Sequence, residues 1–116
     1  MNIKINEESI IFRITEDELN ILRQESLLEK RVRFCNHYIA MVIEVSQDIS
    51  DMRMILIPDR DEICFTLTIS PDHLTKLFTM GRDRDGIKQI LSDKTIFLQV
   101  DVKKDNRPIL TQKERS

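Results

Sequence analysis

Ser9–Arg23 (SIIFRITEDELNILR) and Cys64–Phe78 (CFTLTISPDHLTKLF) overlay without a gap, 55 positions apart, and both read as strand, cap and helix. Ile10, Phe12 and Ile14 meet Phe65, Leu67 and Ile69, the caps Thr15 and Ser70 coincide, and Leu19 and Leu22 meet Leu74 and Leu77. Alternation of apolar with polar residues gives each strand one wet and one dry face. Thr15-x-x-Glu18 has the form of a capping box, in which the hydroxyl accepts from the third helical N–H and the carboxylate reaches back. Ser70-Pro71-Asp72 starts the second helix by other means: a serine cap, proline at the first helical position and an acid in the positive first turn. Amphipathic junctions converge on such patterns by chance, and only Ile14/Ile69, Asp17/Asp72, Leu19/Leu74 and Leu22/Leu77 are identical. The correspondence nevertheless continues downstream. Ile39, Met41, Ile43 and Val45 overlay Ile96, Leu98, Val100 and Val102 at an offset of 57, which favours internal duplication with two extra residues in the second copy.

Around these units the chain alternates short strands with polar turns. Ile3 and Ile5 begin a strand, and Asn6–Ser9 is either a hairpin turn or a bulge in one bent strand. Leu28–Phe34 puts Val32 and Phe34 on one face and Arg31 and Arg33 on the other, with Asn36-His37 as a tight turn. Tyr38–Val45 is apolar on both faces, the pattern of a covered central strand. Met52–Ile57 and Glu62–Ile69 form a hairpin across Pro58-Asp59-Arg60-Asp61, whose proline and aspartates supply turn chemistry. Helix two spans about Pro71–Thr79, with Gly81 placed to end it. Gly86–Ile90 reads as strand or short helix, and Lys94–Val102 as the last strand. The expected fold class is α+β, a mostly antiparallel sheet with two helices and an internal β-α-β-β pseudo-repeat. Residues 1–103 form one domain with halves of about 1–50 and 51–103, and 104–116 form a flexible polar tail.

The chain has 116 residues, enough for one core and too few for two. With 41% hydrophobic and 33% charged residues it is ordinary for a globular chain and unlike a disordered one. No apolar run approaches the roughly 20 residues a bilayer needs. The opening MNIKINEES lacks the apolar core of a signal peptide, so a cytoplasmic location is expected. Net charge is −2, which gives no overall attraction for nucleic acid. Residues 1–80 carry nine basic and fourteen acidic side chains and residues 81–116 nine and six, a modestly basic end that reads as solvated surface. The two cysteines, without an export signal, read as reduced thiols.

No constellation reaches the specificity of a catalytic or metal site. Cys35, His37, Cys64 and His73 are ligands zinc accepts, but their spacing lacks the local pairs that bring ligands together. His37 in a turn and His73 in a helical first turn are ordinary exposed positions. Gly81–Gly86 holds the Asp-x-Asp-Gly of a calcium loop, with Gly81 where the first acid belongs, Ser92 where the twelfth-position glutamate belongs, and two arginines inside. Cys35 and His37 as a nucleophile pair stand two apart on a strand, about 7 Å between Cα atoms, with no third orienting group. Glu16-Asp17-Glu18 is accounted for by the helix dipole. Glu44 and Asp101 read as the solvent face of a half-covered sheet, with Arg13, Arg31 and Arg33 on that face. Phe34, Tyr38 and Phe97 interleaved with basic residues suggest an RNA surface, which no recognisable motif supports. No catalytic, cofactor-binding or metal residue is therefore assigned, and no cofactor is expected.

The opening through Ser9-Ile10-Ile11-Phe12-Arg13-Ile14-Thr15 and Glu18-Leu19, the strand Glu29–Phe34, Gly86-Ile87 and Val100–Asp105 resemble a family of small bacterial proteins of unknown function. The likeness covers most of the chain in short, degenerate pieces, and glycine is missing from the first turn. That family has no assigned activity, so the resemblance implies no functional residue. The expected function is a non-enzymatic cytoplasmic protein-interaction or regulatory domain, whose partner is either a second copy, through an exposed sheet edge or face, or another protein. The alternative is a small-molecule or anion-binding module with its site between the pseudo-repeats. An enzyme ranks third, and neither nucleic acid nor membrane is an expected partner.

Overall fold

The computed structural model describes residues 1–80, 86–91 and 93–101. Its elements are β1 (Asn2–Ile5), β2 (Ser9–Thr15), α1 (Glu16–Glu25), β3 (Leu27–Phe34), β4 (His37–Val45), β5 (Arg53–Pro58), β6 (Glu62–Ile69), α2 (Pro71–Thr79), β7 (Ile87–Leu91) and β8 (Lys94–Asp101). The class is α+β with mostly antiparallel pairing, as expected. The strands divide between two four-stranded sheets, ordered β1-β2-β8-β7 and β3-β4-β6-β5. Among the described residues no helix is long and apolar enough to cross a membrane.

Neither half of the chain owns a sheet. Each sheet takes one antiparallel hairpin from each half and joins the two through a central parallel pair, β2 with β8 and β4 with β6. Exchanging the halves turns one strand order into the other. In the first sheet Ile10, Phe12 and Ile14 lie beside Ile96, Leu98 and Val100. In the second, Phe65, Leu67 and Ile69 lie beside Met41, Ile43 and Val45. Met41, Ile43 and Val45 are thus the counterparts of Ile96, Leu98 and Val100, at the same offset of 55 as the strand–helix units. This corrects the offset of 57 read from the sequence. A slip of two residues leaves every side chain on its own face, so alternation cannot detect it, whereas strand pairing does.

The two sheets differ in length. Ile3 opposite Phe12 corresponds to Met54 opposite Leu67, and Ile87 opposite Leu98 corresponds to Leu28 opposite Ile43. Counted from those positions, both hairpins of the second sheet are four residues longer than their counterparts. That is two residues, about 7 Å, per strand.

Both sheets feed one core, in which Phe12, Ile14, Leu22, Ile43, Met52, Leu67, Ile69, Ile96 and Leu98 are fully buried. Helix α1 contributes Leu19 and Leu22 and then stops at Ser26, whose left-handed backbone (φ 59°) lets its N–H reach Leu22 O at 2.8 Å. Side chains stitch the sheet edges together at two corresponding places. Gln89 of β7 accepts from Met52 N–H at 2.7 Å and donates to Met52 O at 2.9 Å. Lys30 of β3, the counterpart of Gln89, donates to Met1 O at 3.3 Å. Residues 2–15 form a hairpin, β7 is a strand, and the tight turn after β3 is Cys35-Asn36, because Phe34 pairs with His37. The Gly81 helix stop, the Asp-x-Asp-Gly segment before Gly86 and the tail 104–116 lie outside the described residues.

Two substitutions test this frame. Gly86 has φ +66°, and a Cβ there would lie 2.1 Å from Leu98 O, so Gly86→Ala must push β7 off β8. Denaturant unfolding is expected to show a loss well above about 1 kcal/mol. Gln89→Met keeps the volume but strands the buried Met52 N–H, with an expected loss of about 1–3 kcal/mol. A stability unchanged in either variant contradicts the corresponding contact.

Candidate functional site

The residues weighed for metal or nucleophilic chemistry lie apart. His37 opens β4 on the parity of Ile39 and Met41, which turns it to the inner face, while Cys64 on β6 sits beside Ala40 on the outer face. Cys35 is an exposed turn residue with φ 57°, and Cys64 is half-buried with Sγ 3.5 Å from Thr66 Oγ1. His73 lies beyond the far end of β6, and the strand between Cys64 and Ser70 spans about 20 Å. Among the described residues no three His, Cys, Asp or Glu side chains gather as a metal site. The aromatic residues weighed for RNA also diverge: Phe34 faces inward, and Tyr38 and Phe97 lie on the outer faces of different sheets.

His73 departs from its expected exposed position. It is buried, and it completes a capping box for α2: its N–H donates to Ser70 Oγ at 3.2 Å while its Nδ1 accepts from Ser70 N–H at 3.0 Å. The second helix therefore starts by the same device as the first, where Glu18 N–H donates to Thr15 Oγ1 at 3.1 Å and Thr15 N–H to Glu18 Oε1 at 2.9 Å. Histidine replaces glutamate 55 positions on, and it is not a residue by which a capping box is recognised in sequence. Because Nδ1 accepts, the neutral ring carries its proton on Nε2. Burial, followed by the charge of Lys76, holds the His73 pKa below its ordinary 6.5, against Asp51 and Asp72. For Glu18, burial acts upward, but hydrogen bonds from the chain's amino group and Thr15 hold the carboxyl below its ordinary value. The Met1 nitrogen lies 2.6 and 2.5 Å from the two carboxylate oxygens.

Several of the charges weighed in the sequence are spent locally. Arg31 pairs with Glu62 at 2.8 Å and lies 4.5 Å from the Tyr38 ring centre. Arg13 donates to Gln99 at 3.1 Å, Arg33 to Cys35 O at 3.3 Å, and Glu44 accepts from Thr68 at 2.8 Å. The arginine contacts lie at the surface, the Glu44–Thr68 bond is partly buried, and none of them needs a function.

The feature without a structural explanation is the long end of the second sheet. One inner-face row crosses all its strands as Val32, Ile39, Ile63 and Pro58. Beside it stand Phe34, Leu56 and the half-buried Phe65. Val32 and Ile63 are each 40% exposed, Leu56 50% and Phe34 66%. The corresponding row of the shorter sheet is Leu91, Lys94 and Glu8, and there Lys94 Nζ donates to Glu7 O at 2.7 Å. One sheet ends in charge and a closed turn, the other in apolar side chains past the core. The edge strand β5 adds Ile55 and Ile57 on the outer face, both more than half exposed. Local alternation places Val32 and Phe34 on a common face; that the opposing sheet stops short of them is a tertiary fact, invisible to it.

Space for a ligand between the halves is taken by Phe12, Ile14, Ile43, Leu67, Ile69 and Leu98, all fully buried. A shallow, open depression of about 550 Å³ lies elsewhere, at the β1–β2 turn beside Thr95 and Phe97. Its acids Glu7 and Glu8 oppose an anion, and Asn6 Oδ1 already accepts from Glu8 N–H, Ser9 N–H and Ser9 Oγ.

The His73 cap makes stability depend on pH. With the folded pKa below the unfolded value, its contribution is complete above pH 6.5 and is lost as pH falls through 6.5 toward the folded pKa. Against His73→Gln, which can keep the cap without titrating, the natural chain should lose stability between pH 7.5 and 5.5. A pH-independent difference contradicts the assignment. Ser70→Ala should cost about 1 kcal/mol at neutral pH.

Compared with protein-family models, with curated proteins and with solved structures, the chain matches none.

Proposed function

We propose that this chain is a non-enzymatic, cytoplasmic protein-interaction domain that binds through the long end of its second sheet. The observation that carries the reading is the exposed group Val32, Ile63, Phe34 and Leu56, set around the half-buried Ile39 on the inner face at the long end of the sheet. Scattered exposed apolar residues are normal on any protein; a contiguous apolar patch bordered by polar groups marks a contact surface. The border here is polar: Lys30, His37, Asp59 and Asp61 flank the row along its strands and turns. Burying such side chains yields about 1.5–3 kcal/mol apiece, so a few suffice to drive association.

Accessible apolar surface is measurable without a known partner. The folded protein should bind a hydrophobic fluorescent dye, and Val32→Glu combined with Ile63→Glu should abolish most of that signal while circular dichroism stays native. Light scattering across concentrations reports separately whether the surface is met by a second copy. A strict monomer that binds no dye contradicts the reading.

A further inference from the structure

Resting on that reading, we infer that the partner of the β5 edge is a second copy of this chain, and that two β5 strands pair antiparallel about a twofold axis through Leu56. The backbone determines which groups are on offer. Asp59 N–H donates to Glu62 O at 2.7 Å, so odd-numbered residues of β5 turn their polar backbone toward β6. Even-numbered residues turn theirs to the outer edge, which no strand among the described residues pairs. Met52 agrees with this, since both its edge groups are held by Gln89. Met54 and Leu56 therefore present N–H and C=O outward, and Pro58 presents its carbonyl alone.

Of the twofold antiparallel registers that satisfy that alternation, those centred on Ile55 and on Leu56 engage the most of Arg53–Pro58, five residues of each strand, and the structure selects between them. A pairing centred on Ile55 sets Pro58 against Met52, whose groups Gln89 already occupies. A pairing centred on Leu56 sets Pro58 against Met54, so the Met54 N–H donates to the partner's Pro58 carbonyl, and the two Leu56 residues exchange both their bonds. In this register Arg53 stands opposite the partner's Asp59 on the outer face, at both ends of the pair. Neither residue makes an ion pair among the described residues. Ile55 meets the partner's Ile57 on the same face, and Leu56 meets its counterpart on the inner face, so the exposed apolar run of β5 gains lateral cover along its length. The contact is isologous and closes on itself, and it removes an edge that would otherwise be open to any strand.

Light scattering of the full chain at rising concentration should approach twice the chain mass of 13.7 kDa. Leu56→Lys should return a single-chain mass with unchanged circular dichroism. Arg53→Asp and Asp59→Arg should each weaken the dimer severalfold, and the double exchange should recover it. In a chain with Cys35 and Cys64 changed to serine, Leu56→Cys should cross-link under mild oxidation, because opposed Cα atoms lie about 5.5 Å apart. Ile55→Cys should cross-link poorly, since its counterpart is then a diagonal neighbour about 7–8 Å away. A dimer that cross-links through Ile55→Cys instead, or that ignores Leu56→Lys, overturns the register. A single-chain mass at every concentration overturns self-pairing altogether. If dye binding persists in that case, the interaction reading survives with a different partner; if both fail, both are wrong.

Discussion

Two parallel strand pairs hold this molecule together. Until β8 lies beside β2 and β6 beside β4, neither sheet has a centre and the hairpins flanking them have nothing to join. The first pairing joins residues as far apart as Ile10 and Ile96, so its loop must close before any of its apolar contacts form. The core follows from the same constraint. Phe12 and Leu98 are neighbours in one sheet and Ile43 and Leu67 in the other, each pair contributed by both halves of the chain. The capped helices serve these pairings by carrying the chain from one sheet to the other, and the side-chain bridges at Gln89 and Lys30 fasten the edges that meet.

The two sheets are built alike and finished differently. Extra length went to both hairpins of the second sheet, so its strands run one pleat farther on either side of the parallel pair. The shorter sheet ends in Lys94, Glu8 and an Asn6-locked turn, groups that water or the chain itself satisfies. On the longer sheet Val32 and Ile63, either side of the half-buried Ile39, continue the inner apolar rows where no facing strand remains among the described residues. Leaving them in water forgoes burial worth roughly 25 cal/mol per Å². Folding does not require that exposure, which is why the proposed interaction surface is set there and not at the scattered cysteines and histidines.

Much of the frame is legible in sequence because it rests on local signals. Alternation marks the strands, Thr15 and Glu18 announce a helix, and the Ser9–Arg23 and Cys64–Phe78 overlay exposes the repeat. Three things escape for physical reasons. The true offset of β4 and β8 escapes because a two-residue slip preserves every face. The His73 cap escapes because imidazole as the reciprocal partner is outside the usual Glu/Gln pattern, and so its burial escapes too. The division into two sheets, with hairpins exchanged between halves, escapes because alternation specifies faces and not neighbours. The candidate surface is half legible: Met54–Ile57 reads as apolar at every position, but whether that means a buried central strand or a bare edge depends on what stands beside it.

Amide hydrogen exchange resolved by residue along β5, in dilute solution, tests the open edge most directly. Alternation is expected: Ile55 and Ile57, which donate to β6, exchange slowly, while Met54 and Leu56 exchange nearly as fast as open chain. Equal and strong protection at all these positions in a single-chain species would mean that the chain covers its own edge, and β5 would have no open side to offer.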